Sequence, residues 1–354
     1  MAYPRVGVFP GKRTTLVLSI MAWAFLGGSV ARTDEPSAPS SSQPTSPERE
    51  GKIQANGITI AYESFGPSDR ETMLLIMGYG AQLTAWPVEL CDELVKRGYR
   101  VLIFDNRDIG LSTKFASAGS PDVNAIMAAK IAGKSVNAPY TLDDMAKDAV
   151  GLLDALGIKK AHIVGVSMGG MIAQIVAANH PERTHSLTSI MSTSGNPTIP
   201  LPAKPDIFAK MPLPPPDGDK EAAVAYAIKL AQLLGGPGYP PDEKRLREVI
   251  VRTMKRGADD RASLARQNLA VALGFYEDRR AKLKTIKVPT VVVHGAEDPL
   301  MSVEGGKDTA ANIPGADLRI IPGMGHDLPV ALMKTFADAI TSAATRATDA
   351  KTTK

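Results

Sequence analysis

Gly165-Val166-Ser167-Met168-Gly169 sets a serine between two glycines, with Gly170 directly after. An apolar run through Ile163-Val164 precedes it, and a helix-like run begins near Met171. A strand that turns straight into a helix strains the residue at the corner. It also projects that residue's side chain from the carboxyl edge of the sheet. Glycines flank the corner because side chains there would meet the adjoining strand and helix. Ser167 therefore has the setting of a nucleophile for acyl transfer, at an edge where α/β sheets hold their ligands.

A serine hydroxyl needs a base. The chain has five histidines. His162 starts the strand that leads to Ser167 and is too far from its tip. His180 and His185 lie beyond the following helix. His294 is inside a strand, where a satisfied core role fits better. His326, in Gly323-Met324-Gly325-His326, follows the last strand at the same edge as Ser167 and is the expected base. The imidazole in turn needs an acid to fix its tautomer. The strand ending Met191-Ser192-Thr193 supplies none. The next ends His294-Gly295-Ala296-Glu297-Asp298-Pro299, which makes Asp298 the choice and Glu297 its local competitor. Two main-chain amides must also face a developing oxyanion. Met168, just after the nucleophile, and Tyr79, between Gly78 and Gly80, are the expected donors.

Other residues have blander readings. Asp105-Asn106-Arg107-Asp108 is read as an Asp–Arg network that pins a loop, rather than as pocket lining. Trp86 either lines the acyl pocket or packs. Asp148 and Asp154 are expected on a solvated helix face. Met127, Met211 and Met254 suit ordinary core, with an apolar pocket as the sharper option. Cys91, the one cysteine, reads as a buried small hydrophobe in an amphipathic helix.

The elements that must position these groups follow from periodicity. KIQANGITIAYESFG forms a hairpin about Asn56-Gly57. Continuous apolar strands in TMLLIMGYG, YRVLIFDNRD, AHIVGV, SLTSIMSTS, VPTVVVHG and ADLRIIPG alternate with helices. That is the pattern of an α/β fold with a mostly parallel sheet covered on both faces. Between Ser194 and about Thr285 the strand pattern stops. Helices are expected over Glu221–Leu234, Asp242–Arg256 and Ala262–Tyr276, an inserted helical cap. The expected division is a core of 52–194 and 286–345, a cap of 195–285 and a polar tail of 346–354.

The 354 residues carry a formal charge of +4. Arg5, Lys12 and Arg13 supply most of it; without them 38 basic residues face 37 acidic ones. No phosphate-binding patch remains, so nucleic acid is not an expected partner. The basic start, the apolar run Thr14–Gly28 and the small residues Ser29 and Ala31 read as a signal peptide over 1–31. The apolar run is shorter than the roughly 20 residues that span a bilayer. The expectation is a secreted or periplasmic protein without stable membrane insertion, the alternative being an uncleaved N-terminal anchor. Residues 32–51, rich in Pro, Ser and Thr, read as a disordered tether. No metal is implied, since H-E-x-x-H and Cys/His clusters are missing. No cofactor is implied either, because the glycines at 165, 169 and 170 lack the G-x-G-x-x-G spacing.

LLIMGYGAQLTAWP, FDNRDIGLST, HIVGVSMGGMIAQ and IPGMGHDLP together resemble the α/β-hydrolase superfamily, and within it aclacinomycin methylesterase and related serine esterases. The resemblance spans about Ile53 to Thr341. It implies an α/β-hydrolase fold and a small-molecule ester substrate. It also implies Ser167 as nucleophile, Asp298 as acid, His326 as base, and Tyr79 and Met168 as oxyanion donors, in agreement with the residues read on their own. A perhydrolase or haloperoxidase without cofactor and a carbon–carbon bond hydrolase use the same scaffold. A non-catalytic binding protein is the alternative from another class. Haloalkane dehalogenases and epoxide hydrolases are disfavoured, because they need an aspartate at position 167.

Overall fold

The computed structural model describes residues 49–213, 215, 219–257 and 260–352. The signal-peptide reading of 1–31 and most of the tether lie outside the described residues. Strand β1 (Arg49–Ala55) starts inside the stretch expected to be tether. Its outer residues are polar and exposed, yet the backbone ladder to β2 (Ile58–Phe65) runs from Arg49↔Ser64 to Ala55↔Ile58. Pairing of this kind needs main-chain groups, not apolar side chains. Asn56 (φ 50°) and Gly57 (φ 76°) make the turn between them, both in the left-handed region that a two-residue hairpin requires.

The remaining strands are β3 (Thr72–Ile76), β4 (Arg100–Phe104), β5 (Ala161–Val166), β6 (Thr184–Ile190), β7 (Thr290–Gly295) and β8 (Asp317–Ile321). The sheet order is β1-β2-β4-β3-β5-β6-β7-β8, parallel from β4 onward. Alternate residues of one strand feed opposite faces. Leu74 and Ile76 pack with α3 (Leu142–Ala155) and α4 (Met168–Asn179). Met73 and Leu75 pack on the other face with α1 (Val88–Lys96) and α10 (Met333–Thr352). Cys91 is buried in this second layer, and burial pushes its thiol far above the ordinary range, so it is inert. The expected α/β sheet with two covered faces is what forms.

Two expectations about polar residues need correction. The polar tail from 346 belongs to the last helix, since α10 continues to Thr352. Its small residues Ala343, Ala344 and Ala347 are buried, and Arg346 donates to the Thr290 carbonyl at 2.7 Å. Asp148 is not solvated. It is 2% exposed and takes two bonds from Arg107 at 2.6 Å and one from Asn56 at 2.7 Å. Asp154 does stay at the surface, where it pairs with Arg183. Outside the insertion, three helices had no sequence expectation: α2 (Val123–Ile131), α9 (Val303–Asn312) and α10.

Between β6 and β7 come α5 (Lys220–Leu234), α6 (Glu243–Arg256), α7 (Arg261–Phe275) and the short α8 (Arg280–Leu283). Asp219, Asp242 and Asp260 cap the first three by accepting from the amide three residues on. Helix α6 buries none of its residues fully, and three of its arginines pair with acids of the core. Arg245 pairs with Glu89, Arg252 with Glu63 at 3.0 Å, and Arg256 with Asp105 at 2.6 Å. Arg279 ties the two ends of the insertion together. Fully buried, it donates to the carbonyls of Thr193 (2.8 Å) and Gly274 (2.6 Å), while its amide bonds Ser194 (3.0 Å). Burial pushes its guanidinium down to about 10. Among the described residues, no helix is long and apolar enough to cross a membrane.

Candidate active site

Strand β5 ends at Val166 and α4 begins at Met168, so a single residue makes the corner. Ser167 sits there at φ 56°, ψ −120°, a conformation that costs a non-glycine residue about 1–3 kcal/mol. Neighbouring backbone holds it in place. Its amide donates to Ile190 at 2.9 Å, and its carbonyl accepts from the Ser192 hydroxyl at 2.8 Å. The flanking glycines are obligatory. A Cβ on Gly165 would stand 2.0 Å from the Gly169 carbonyl oxygen, and one on Gly169 2.0 Å from that of Ile76.

The loops after β7 and β8 bring the other two groups to the same edge. His326 Nε2 lies 3.1 Å from Ser167 Oγ, and His326 Nδ1 lies 2.7 Å from Asp298 Oδ2. The second carboxylate oxygen, Oδ1, accepts from the amides of Leu300 and Met301 at 2.8 Å each. Burial alone would push the Asp298 carboxyl up. The charges and hydrogen bonds of His326 and His294 outweigh it and hold the carboxyl well below the usual range. Glu297 turns away and accepts from the Gly323 amide at 2.6 Å, bracing the loop that carries His326. His294 is buried in the core as expected but is only half satisfied: Nε2 lies 3.1 Å from the Met301 carbonyl, while Nδ1 has no partner among the described residues. His294 Nε2 also lies 3.5 Å from Asp298 Oδ2, a proximity the sequence reading missed.

Met168 follows Ser167 directly and the Tyr79 loop adjoins it, since a Cβ on Gly78 would stand 3.2 Å from Ser167 Cβ; no acceptor among the described residues takes the Met168 or Tyr79 main-chain amide. The Tyr79 loop is held from the insertion. Helix α7 takes the Tyr79 hydroxyl on its Leu264 carbonyl at 3.2 Å, and Gln267 Oε1 accepts from the Gly80 amide at 2.6 Å. Gln267 Nε2 donates in turn to the Arg107 carbonyl at 3.3 Å. Asn106 fixes the strand below through the Met77 carbonyl at 3.0 Å. The 105–108 loop is thus a network, with Asp105 held by Arg256 and Asp108 by Arg266. Gln267 carried no sequence signal beyond being an amide in a helix.

Ser167 and His326 open on a cavity of about 590 Å³ with mostly apolar walls, including Trp86, Met211, Leu230, Val249 and Phe275. Trp86 therefore both packs and lines the pocket. Met127 instead packs against α7 beside Leu269. Four charged residues reach the wall, and two of them, Arg245 and Arg252, are neutralised by Glu89 and Glu63. Asp327 is another, and its Oδ1 has no partner among the described residues. Burial, with Asp298 adding to it, pushes the Asp327 carboxyl up to about 6 against the pull of His326. A carboxyl raised on folding favours the protonated folded state. Its stability is fully present below the ordinary carboxylate range and is lost as pH rises toward 6. Asp327→Asn removes that loss. Its melting temperature should match the parent near pH 4 and exceed it above pH 7. Thermal unfolding across pH checks this, and a pH-independent difference would refute it. Among the described residues, no three His, Cys, Asp or Glu side chains are grouped to hold a metal ion.

Residues 71–330 match the family model described as alpha/beta hydrolase fold. The chain belongs to that family. Among curated proteins, the hydrolase is 28% identical over 307 residues to rhodomycin D methylesterase of Streptomyces sp. (strain C5), covering 81% of this chain and 95% of that one. It is 27% identical to a putative carbamate hydrolase of Caulobacter sp. (strain K31), covering 78% and 91%. A 2-hydroxy-6-oxononadienedioate/2-hydroxy-6-oxononatrienedioate hydrolase of Burkholderia vietnamiensis is also 27% identical, covering 76% and 85%. Among solved structures, a hydrolase from Pseudomonas aeruginosa superposes with a TM-score of 0.58 at 26% identity, covering 84% of this hydrolase and 98% of that chain.

Proposed function

We propose that this hydrolase cleaves a carboxylic ester through an acyl-enzyme on Ser167. The observation that carries the reading is the run Ser167 Oγ–His326 Nε2–His326 Nδ1–Asp298 Oδ2, at 3.1 and 2.7 Å, opening on an apolar cavity. Relatives named as methylesterase and carbamate hydrolase support it. Ser167 Oγ attacks the carbonyl carbon as His326 Nε2 takes its proton. Asp298 holds the ring with Nδ1 protonated and offsets the charge that forms. The oxyanion collects on the Met168 and Tyr79 amides. Collapse expels the alcohol, which receives the proton from His326. Water then attacks the acyl-enzyme by the same route, releasing the acid.

A chain-length series of p-nitrophenyl esters, run beside a fluorophosphonate label, tests this. Turnover with label on Ser167 is expected. A folded protein that turns over none of the esters, or carries the label elsewhere, would overturn it and turn the assay to peroxide or carbon–carbon substrates.

Gln267 is a positioning residue on this reading, since it touches the Gly80 amide and not the substrate. Gln267→Leu leaves that amide unpaired and lets the Tyr79 donor drift. The expected loss is about 10²-fold in kcat with KM little moved, because the oxyanion exists only in the transition state. Gln267→Glu keeps an acceptor for Gly80 and should recover part of the loss. Steady-state kinetics decide it; equal losses in both variants would point to a packing role alone.

A further inference from the structure

A smaller cavity of about 260 Å³ lies at the root of the insertion. Phe275 and Met301 line both this space and the main cavity, so the two share a wall. Their chemistry differs. Five residues with uncharged polar groups, Thr193, Asn196, Asn268, Tyr276 and Ser302, line the smaller space, and no charged residue lines it among those described.

Asn268 is the residue that needs an explanation. It is 1% exposed on α7, and its Nδ2 has no acceptor among the described residues. Its neighbours on the helix are equally buried but fully used: Arg266 donates to Asp108, and Gln267 bonds Gly80 and Arg107. A buried carboxamide left without a partner destabilises the fold, and native proteins rarely keep one. Leucine would fill a buried helix position without that cost.

We propose that this compartment is a second subsite of the ester hydrolase, taking a neutral oxygen-bearing group of the substrate with Asn268 as its hydrogen-bond partner. A carbonyl, hydroxyl or ether oxygen fits. A carboxylate, phosphate or ammonium does not, because it would be desolvated with no counter-ion in the lining. The substrate class that follows is an uncharged, amphiphilic ester. Its apolar part lies beside Ser167 and its oxygenated part beyond Phe275 and Met301. The substrate class rests on the ester reading; the subsite itself can be tested without turnover.

Calorimetry on Ser167→Ala protein serves as that test. The probes are methyl decanoate, decyl acetate and their analogues in which an ether oxygen replaces successive methylene groups. At one chain position, the affinity of the ether relative to its parent ester should fall about tenfold on adding Asn268→Leu, the worth of one hydrogen bond. Asn268→Ala gives the same comparison if leucine prevents folding. Ratios that do not change at any position, or no binding of any probe, would overturn the subsite. Turnover by the wild-type chain is read separately. A shifted ratio without turnover keeps the subsite and removes the ester reading; turnover with flat ratios does the reverse.

Discussion

Ser167→Ala should cut ester turnover by about 10⁵–10⁶-fold, the loss seen when the nucleophile of such a unit is removed. His326 then has no hydroxyl to deprotonate, and adding His326→Ala should cost little more, because the two act as one device. The Met168 and Tyr79 amides remain, so some acceleration over water persists. The fold should not suffer. Alanine keeps the left-handed corner that Ser167 occupies at φ 56°, so the strain is unchanged. Ser167→Gly is the informative companion. It removes both hydroxyl and strain, and relief of about 1 kcal/mol would raise the melting temperature by roughly 2–4 °C. A dead enzyme that melts higher would show that strain at position 167 serves chemistry and not folding. An alanine variant that kept a hundredth of the activity would remove Ser167 from the mechanism.

Ser167 was legible because its signal is local. The glycines at 165 and 169 report two approaches of 2.0 Å that no side chain survives, and they sit beside the residue they serve. Asp298 and His326 were legible for a second reason. Parallel strands end at one edge, so a polar residue just after an apolar strand is placed by topology alone. Asp148 shows where this fails. The pattern of α3 suits a solvated face, and only the arrival of Arg107 from the loop after β4 makes the position a buried ion pair. Charge pairing over 41 residues leaves no trace in either local pattern. Helix α10 went unmarked for a similar reason, since Ala343, Ala344 and Ala347 are too small to mark a stripe yet small enough to pack closely. Gln267 and Asn268 are adjacent amides on one helix. One braces the Tyr79 loop and the other faces a cavity, a distinction that exists only once α7 is docked.

Asp298→Asn should lower kcat by about 10⁴-fold, and hydrogen-bond direction is the reason. Asp298 Oδ1 accepts from two amides, Leu300 and Met301, so in the variant the carboxamide oxygen is held at that position. The NH₂ group then faces His326 Nδ1, where Asp298 Oδ2 stood at 2.7 Å. A donor there forces Nδ1 to become the acceptor and moves the ring proton to Nε2. That proton points at Ser167 Oγ, 3.1 Å away, so the ring can no longer take one. The geometry survives while the tautomer is wrong, which separates this loss from one of folding. Glu297→Gln is the control, since its carboxamide oxygen would still accept from the Gly323 amide that Glu297 now braces. It should change turnover by less than about tenfold, the scale of one hydrogen bond. Steady-state rates of the two variants on one ester decide between the neighbouring acids. If Glu297→Gln lost as much as Asp298→Asn, the acid would be Glu297, and the 2.7 Å bond from His326 to Asp298 would be structural.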